Sequence, residues 1–332
     1  MRGQVRNVGL LVVLAVLALA PLAGAQQSGK VVKIGFLGFP ALRPGWAEPL
    51  LPPELVRRAV RELGYVEDQE VTWNQRNTSN RNLLSQMAAD LVRLKVAVIV
   101  ASGAEAIQAA KDATKTIPIV MLSFADPVEM GFIAALGQPG GNVTGVSLMT
   151  ADLGEKRLAL LKEALPRVSR VAVLWNPADA AAASERRRIQ AAADALGLSL
   201  VPAEIRTPAD VEAAFTGARK ARAGGALVVL DPVTYAQGSQ IVALASKNRL
   251  PAMYGSRAFV EKGGLMAYQP SNKEAARRVA VFVDKILKGA KPGDLPVEQP
   301  SEFELVVNMK TAQALGLKIT PSVLVLAEQI FR

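Results

Sequence analysis

The chain alternates short, almost wholly apolar runs with longer stretches in which apolar residues recur at helical spacing. The run 31–39 is apolar nearly throughout, as expected of a strand that is buried on both faces of a sheet. The stretch 53–64 follows, with its apolar residues three and four positions apart, and ends at Gly64, a residue typical of helix C-termini. Repetition of this pair along the chain predicts a parallel sheet with helices on both faces.

The alternation occurs twice, which predicts an α/β protein with two doubly wound parallel-sheet lobes. Strands are predicted at 31–39, 71–74, 96–101 and 117–123 in the first series. The chain is then expected to turn through 143–148, and the second series has predicted strands at 170–175, 199–204, 226–230 and 252–254. Later elements follow neither series, so the lobes are predicted to be joined by a multi-strand hinge. The predicted N-terminal lobe comprises 31–147 plus about 264–300, and the predicted C-terminal lobe comprises 148–263 plus about 301–332.

The first 25 residues have the order of a cleavable secretory signal peptide. Arg2 and Arg6 precede an apolar run, and Ala23-Gly24-Ala25 supplies the small residues that precede a cleavage site. The apolar run is about 13 residues long, which is shorter than the roughly 20 needed to cross a bilayer. Because the sequence contains no cysteine, it offers no site for lipid attachment, and we expect a freely diffusing periplasmic protein.

Composition indicates a folded chain and argues against a nucleic-acid partner. Hydrophobic residues make up 50% and charged residues 20% of the 332 positions, which is enough for a large core. The formal net charge is +10, but Lys and Arg lie beside acidic residues along helical stretches such as 185–188 and 274–278. We interpret these side chains as solvated helix faces rather than as a nucleic-acid patch.

The residue types present also argue against an enzyme. The absence of His and Cys removes the commonest general base, the commonest metal ligand and the thiol nucleophile. No close pair of acidic residues falls at a predicted strand end, and the Gly-rich segment 137–145 lacks the Lys and Ser/Thr of a phosphate-binding loop. The sequence therefore predicts no catalytic residues, no metal ligands and no cofactor.

The candidate ligand-binding residues lie at the predicted carboxyl ends of the strands. In open α/β sheets ligands bind beyond these ends, and two such sheets joined by a hinge would form a cleft that closes around a ligand. The candidates are Phe39, Ser102, Gly103, Ala125 and Asp126 in the first lobe, and Asn176, Asp231, Tyr254 and Tyr268 in the second. Backbone amides beside Ser102 and Ala125 are expected to hold a carboxylate.

Several of these residues have a purely structural alternative. Ser102 could serve only as a helix cap, and Asp126 and Asp231, each followed by Pro, could cap the helix that the Pro opens. Tyr254 and Tyr268 could stack on a ligand or pack in a core. The sequence leaves these alternatives open.

Several segments resemble one known family. They include Arg61-Glu-Leu-Gly-Tyr65, Thr116-Ile-Pro-Ile-Val120, Gly263-Gly-Leu-Met266 and, most specific to the family, Pro139-Gly-Gly-Asn-Val-Thr-Gly145. From Lys33 to its C-terminus the chain resembles the ABC transporter substrate-binding proteins of the tryptophan/tyrosine type. The resemblance implies the type I periplasmic binding protein fold, a Venus-flytrap cleft, and a monomer that delivers a small-molecule ligand to an ABC permease with its ATPase.

The resemblance leaves the identity of the ligand open. Some relatives bind aromatic amino acids, but Gln269 and Ala276 stand where the family usually has Gly and Tyr, so other small polar or carboxylated solutes remain open. We therefore expect an exported solute-binding component of an ABC importer that binds an amino acid or a related carboxylated compound between the lobes. The alternative function is a ligand-sensing periplasmic subunit of a signalling receptor.

Overall fold

The computed structural model describes residues 31–39, 53–78, 80–148 and 153–332. The predicted signal peptide, 1–25, lies outside the described residues. None of the helices in the described ranges is long and apolar enough to cross a membrane.

A five-stranded, wholly parallel sheet forms the first lobe. Its elements are β1 (Val32–Gly38), α1 (Pro53–Glu62), β2 (Val71–Asn77), α2 (Leu84–Arg93), β3 (Val98–Ser102), α3 (Ala104–Ala113), β4 (Ile119–Ser123) and β5 (Val143–Ser147). The strand order is β2-β1-β3-β4-β5. Every residue of β3 and β4 is buried, because helices cover both faces of the sheet.

The second lobe contains a seven-stranded sheet. Its part of the chain begins with α4 (Leu153–Ala164), β6 (Arg170–Trp175), α5 (Ala180–Ala195), β7 (Ser199–Glu204), α6 (Asp210–Lys220), β8 (Gly225–Val228), α7 (Pro232–Ala236), α8 (Gly238–Lys247), β9 (Ala252–Tyr254), α9 (Arg257–Glu261) and β10 (Met266–Pro270). The remaining elements are α10 (Asn272–Leu287), β11 (Phe303–Asn308), α11 (Met309–Ala314), α12 (Pro321–Leu326) and β12 (Gln329–Phe331). The strand order is β12-β11-β10-β9-β8-β6-β7, in which only the β10–β11 pair is antiparallel.

Side-chain alternation along the central strands places apolar residues on both faces of each sheet. In the first lobe, Ile34 and Phe36 pack in the cluster that contains residues of α1 and α10. Leu37 and Ile99 point to the other face, where α2 and α3 pack. The predicted α/β class with two parallel-sheet lobes is confirmed.

The chain passes between the two sheets three times. The first passage falls at 149–152, outside the described residues. The chain leaves the first lobe after β5, returns to it after β10, and leaves it again before β11. The return is shown by α10, which packs on α1 and on β3, β4 and β5. The boundary predicted near 264 therefore falls too early. The strand Met266–Pro270 continues the second sheet beside β9, and the chain crosses only after Pro270.

The second and third crossings are held together by Glu274, in the first turn of α10. Its carboxylate accepts hydrogen bonds from the backbone amides of Ser301 and Glu302, at 3.0 and 2.7 Å, and from the Ser301 hydroxyl at 2.8 Å. The guanidinium of Arg278 donates to the same carboxylate and also contacts Glu298. We call Glu274, Arg278, Glu298, Ser301 and Glu302 the hinge cluster.

The hinge cluster also contacts β5, the last strand of the first lobe before the chain enters the second. The backbone of Glu298 bonds to Gly145 and Ser147 at the end of β5, at 3.0 and 2.9 Å. The chain on its third passage therefore runs beside the end of β5. Although desolvation acts to raise it, the hydrogen bonds from Glu302, Ser301 and Arg278 lower the pKa of Glu274 to about 2.

Candidate functional site

A cavity of about 70 Å³ lies between the two lobes, where the carboxyl ends of both sheets meet. Among the described residues it is lined by Phe39, Gly103, Ala104, Glu105, Phe124 and Ala125 from the first lobe, and by Asp179, Ala181, Leu230, Asp231, Pro232 and Tyr235 from the second. This is the position that the winding of α/β sheets favours for a ligand. A ligand bound in this cavity would therefore contact residues of both lobes.

The first-lobe wall depends on the turn from β3 into α3. The amide of Gly103 donates to Leu122 and the amide of Phe39 donates to Ser102, at 3.2 and 3.0 Å, so this turn is fixed between its two neighbours. Gly103 has a φ of 94°, and a Cβ at this position would overlap the carbonyl oxygen of Phe39. Only glycine therefore allows the two loops to approach this closely.

The N-terminus of α3 points its first residues, Ala104 and Glu105, at the cavity. Within the described part of the chain, no side chain caps this helix. The first amides of a helix lack intrahelical acceptors and carry the positive end of the helix dipole, so this end attracts an anion. The carboxylate of Glu105 is held by the guanidinium of Arg81, at 2.7 Å.

The second-lobe wall centres on the carboxylate of Asp231, which is 4% exposed. One of its oxygens accepts from the amides of Val233 and Thr234, at 2.8 and 2.9 Å, and so caps α7. The other accepts from the amide of Asn176, at 3.0 Å. Asp231 therefore ties the loop after β8 to the loop after β6, and its capping role and its place in the cavity wall coexist.

Burial raises the pKa of Asp231 to about 6, against the lowering effect of hydrogen bonds from Thr234, Asn176 and Val233. The charge of Asp179 adds to the increase. Asp179 lines the same wall and caps α5 by accepting from the amide of Ala182, at 2.8 Å. The second-lobe wall thus carries two adjacent carboxylates.

A buried ion pair lies beneath this wall. The guanidinium of Arg157 contacts the carboxylate of Glu185 at 2.6 Å and donates to the carbonyl oxygen of Tyr268 at 2.8 Å. Arg157 and Glu185 are 0% and 2% exposed. Burial raises the pKa of Glu185, Arg157 opposes this, and the charges of Asp231 and Asp179 raise the pKa further, so the four groups act on one another.

The structure brings four of the predicted site residues to the cavity: Phe39, Gly103, Ala125 and Asp231. Ser102 and Asn176 do not line the cavity but contact residues that do: the Ser102 carbonyl accepts from the amide of Phe39, and the Asn176 amide donates to the Asp231 carboxylate. The other three do not line the cavity. Asp126 caps a turn by accepting from the amide of Val128, at 2.8 Å.

The two predicted tyrosines pack inside the second lobe. Tyr254 is 1% exposed and stacks on Phe259, with ring centroids 4.8 Å apart. Tyr268 is half-buried and stacks on Phe303, with centroids 5.8 Å apart. Tyr254 is the last residue of β9, as predicted, but Tyr268 lies in the middle of β10 rather than at its end. The alternation of side chains along each strand directs both rings into packing contacts.

Sequence reasoning missed Glu105, Asp179, Leu230 and Tyr235 among the cavity residues. The sequence does indicate the position of Asp179, because an Asp directly before an Ala-rich helical stretch is a typical N-cap. The sequence gives no such indication for Tyr235, because it lies inside α7 and the sequence alone does not show which face of this helix points to the other lobe.

Replacing Gly103 with Ala is expected to destabilise the protein by about 1 to 3 kcal/mol, because the backbone conformation is essentially restricted to glycine. Urea unfolding of the variant measures the loss. Gly217→Ala is the control, since a Cβ at Gly217 meets no atom within 4 Å and the residue lies inside α6. The control is expected to be neutral or stabilising by up to about 1 kcal/mol. Equal stability of Gly103→Ala and the unmodified protein would contradict the tight turn.

Comparison with known proteins places the chain in a family. The sequence pattern of the family described as ABC transporter substrate binding protein matches residues 55–331. The tyrosine-binding protein of Clostridioides difficile (strain R20291) is 26% identical over 263 residues, which are 79% of this chain and 75% of that protein.

Two solved structures are similar over most of the chain. A conserved domain protein from Vibrio cholerae has a TM-score of 0.80 and 27% identity, covering 91% of this chain and 100% of that one. An ABC domain from Streptococcus pneumoniae in complex with L-Trp has a TM-score of 0.79 and 25% identity, with the same coverage of 91% and 100%. The two-sheet architecture is that of type I periplasmic binding proteins. With a family pattern that extends from α1 to β12, this chain belongs to the ABC transporter substrate binding protein family.

Proposed function

We propose that the protein is the exported solute-binding component of an ABC importer and that it binds an amino acid in the cavity between its lobes. One observation carries this proposal: an uncapped helix N-terminus on one wall of the cavity faces two carboxylates on the other. The order of residues in the predicted signal peptide and the family membership support an extracytoplasmic location.

The distribution of charge around the cavity matches an α-amino acid. The α3 N-terminus offers amides to a carboxylate, and Asp179 and Asp231 offer acceptors to an ammonium group. No Lys or Arg is among the described lining residues, so a ligand with two or more negative charges finds no counter-charge there. Glu105, the only acid among the described first-lobe residues of the lining, is paired with Arg81.

The rest of the lining favours an apolar side chain on the ligand. Phe39, Phe124, Leu230 and Tyr235 provide apolar and aromatic surface, and Ala104, Ala125 and Ala181 leave space between them. Such surfaces gain free energy from burying a hydrocarbon or aromatic group. The names of two relatives, which refer to tyrosine and to L-Trp, agree with this chemistry.

A series of ligand analogues tests the charge distribution without altering the protein. L-Trp, L-Tyr and L-Leu are added in a thermal-shift measurement, because a ligand that binds only the folded state raises the melting temperature. The ligand with the largest shift is then compared, by titration calorimetry, with its analogues that lack either the carboxylate or the ammonium group. Each analogue is expected to bind at least about tenfold more weakly, because it leaves either the α3 amides or the two carboxylates without a ligand partner.

The contrary outcomes are distinct. Equal affinity for an amino acid and for its amine-free analogue would remove the role of Asp179 and Asp231. If no amino acid shifts the melting temperature but a dicarboxylate or a sugar does, the proposed ligand class is wrong.

A further inference from the structure

A second concave site lies at the opposite end of the second sheet. It encloses about 580 Å³ and is lined by the segment 164–170, by Arg222, Gly224 and Pro251, and by the loop 316–318. These residues precede β6, β8 and β9 or join α11 to α12, so they mark the amino ends of the strands. We call this site the basal pocket; the interlobe cavity lies at the carboxyl ends of the same strands.

Four cationic side chains line the basal pocket: Arg167, Arg170, Arg222 and Lys318. All four belong to exposed residues, and none forms an ion pair with an acidic side chain of the described ranges. No acidic residue is among the described residues that line the pocket. This differs from the helix faces elsewhere in the protein, where basic groups such as Arg58 and Arg93 are paired with acids.

The loops that carry these cations are fixed by hydrogen bonds. The ammonium group of Lys162 donates to the carbonyl oxygens of Pro166 and Val168, both at 2.8 Å, which holds the loop bearing Arg167. Arg170 donates to the carbonyl oxygen of Ala221, at 3.2 Å, and so ties the start of β6 to the loop bearing Arg222. The backbone segments that carry Arg167 and Arg222, and the guanidinium of Arg170, are therefore held in place by the protein itself.

The floor of the basal pocket is apolar. Leu165, Val168 and Pro251 are buried residues that contribute to the lining, and Leu317 is half-buried beside them. A basic rim above an apolar floor matches an anion that carries a hydrocarbon part. Guanidinium and ammonium groups recognise phosphate oxygens through charge-assisted hydrogen bonds.

We propose that the basal pocket binds a phosphate ester, with the phosphate oxygens at the rim formed by Arg167, Arg170, Arg222 and Lys318 and the hydrocarbon part on the apolar floor. Two sources share this chemistry, a soluble phosphate monoester and the headgroup of an anionic phospholipid. The site is independent of the interlobe cavity, so its ligand does not compete with the proposed solute.

Two probes distinguish the sources. Glycerol 3-phosphate is titrated into the full protein by calorimetry, and vesicles of phosphatidylglycerol mixed with phosphatidylcholine are tested by co-sedimentation against vesicles of phosphatidylcholine alone. Binding of glycerol 3-phosphate would show that the basal pocket binds a soluble phosphate monoester without a membrane. Binding only to the anionic vesicles identifies the lipid headgroup.

A matched pair of variants tests whether the pocket is responsible. Arg167→Gln/Arg222→Asn removes two rim charges, and Asn tolerates the positive φ of 55° at position 222. Arg61→Gln/Arg187→Gln removes two exposed charges on α1 and α5, outside the pocket. The pocket variant is expected to bind whichever probe succeeds roughly tenfold or more weakly, whereas the control binds as the unmodified protein does.

Three results would overturn the proposal. One is no binding of either probe to the unmodified protein. Another is an equal loss in the two variants, which would indicate attraction by net charge alone. The third is undiminished binding by the pocket variant, and thermal unfolding of both variants verifies that each is folded.

Discussion

Replacing Glu185 with Ala is expected to cost about 3 to 5 kcal/mol of unfolding free energy, because it leaves the buried guanidinium of Arg157 without its counter-charge. The two side chains are 0% and 2% exposed and contact each other at 2.6 Å. Urea unfolding at neutral pH, followed by circular dichroism, measures the loss. A change of this size is a large fraction of the stability of most domains.

The double variant Arg157→Met/Glu185→Leu provides the control for this experiment. Apolar residues of similar size replace both charges, so most of the loss is expected to be recovered, although the carbonyl oxygen of Tyr268 loses its donor. A loss below about 1 kcal/mol for Glu185→Ala would be typical of an exposed pair and would contradict the burial described above.

Replacing Glu274 with Gln is expected to cost about 1 to 3 kcal/mol at pH 7. The upper bound follows from the depressed pKa of about 2, compared with about 4.3 in an unfolded chain, at 1.36 kcal/mol for each pKa unit. Glu62→Gln is the matched control, since Glu62 pairs with Arg58 on an exposed helix face at 3.0 Å and the same i,i+4 spacing. The control is expected to change stability by less than about 1 kcal/mol.

The effect of Glu274 should depend on pH in a defined direction. A carboxyl group whose pKa is lower in the folded state stabilises that state at pH values above its unfolded pKa, and the contribution is lost as the pH falls towards its folded pKa. The difference between the unmodified protein and Glu274→Gln should therefore be constant from pH 7 to about pH 5 and shrink between about pH 4.3 and pH 2. A difference that grows on acidification would contradict the account of the hinge cluster.

Much of the fold was predictable because apolar patterning reports burial. The strands Arg170–Trp175, Ser199–Glu204 and Ala252–Tyr254 have the predicted bounds. The small elements α12 and β12 escaped prediction, since six and three residues are too few to show a period. The lobe membership of β10 also escaped, because a strand's sheet is decided by its neighbours in space, which local patterning does not report.

The candidate site was predictable at the level of loops rather than side chains. The predicted strand ends indicated Gly103 and Asp231, and both residues line the cavity; this inference needs only the winding rule of α/β sheets. Whether Tyr254 faces the cavity depends on which face of β9 lies towards α9, and the sequence does not show this. The burial of Arg157 is indicated by the sequence, because Arg157 lies four residues from both Leu153 and Leu161, on the apolar face of α4.

The central claim is that both lobes hold one amino acid in the cavity between them. The most direct test is a crystal structure of the protein grown with the amino acid that gives the largest thermal shift. The account predicts the ligand carboxylate within hydrogen-bonding distance of the amides of Ala104 and Glu105, and the ammonium group beside Asp179 and Asp231. A ligand held by one lobe alone, or bound outside this cavity, would contradict it.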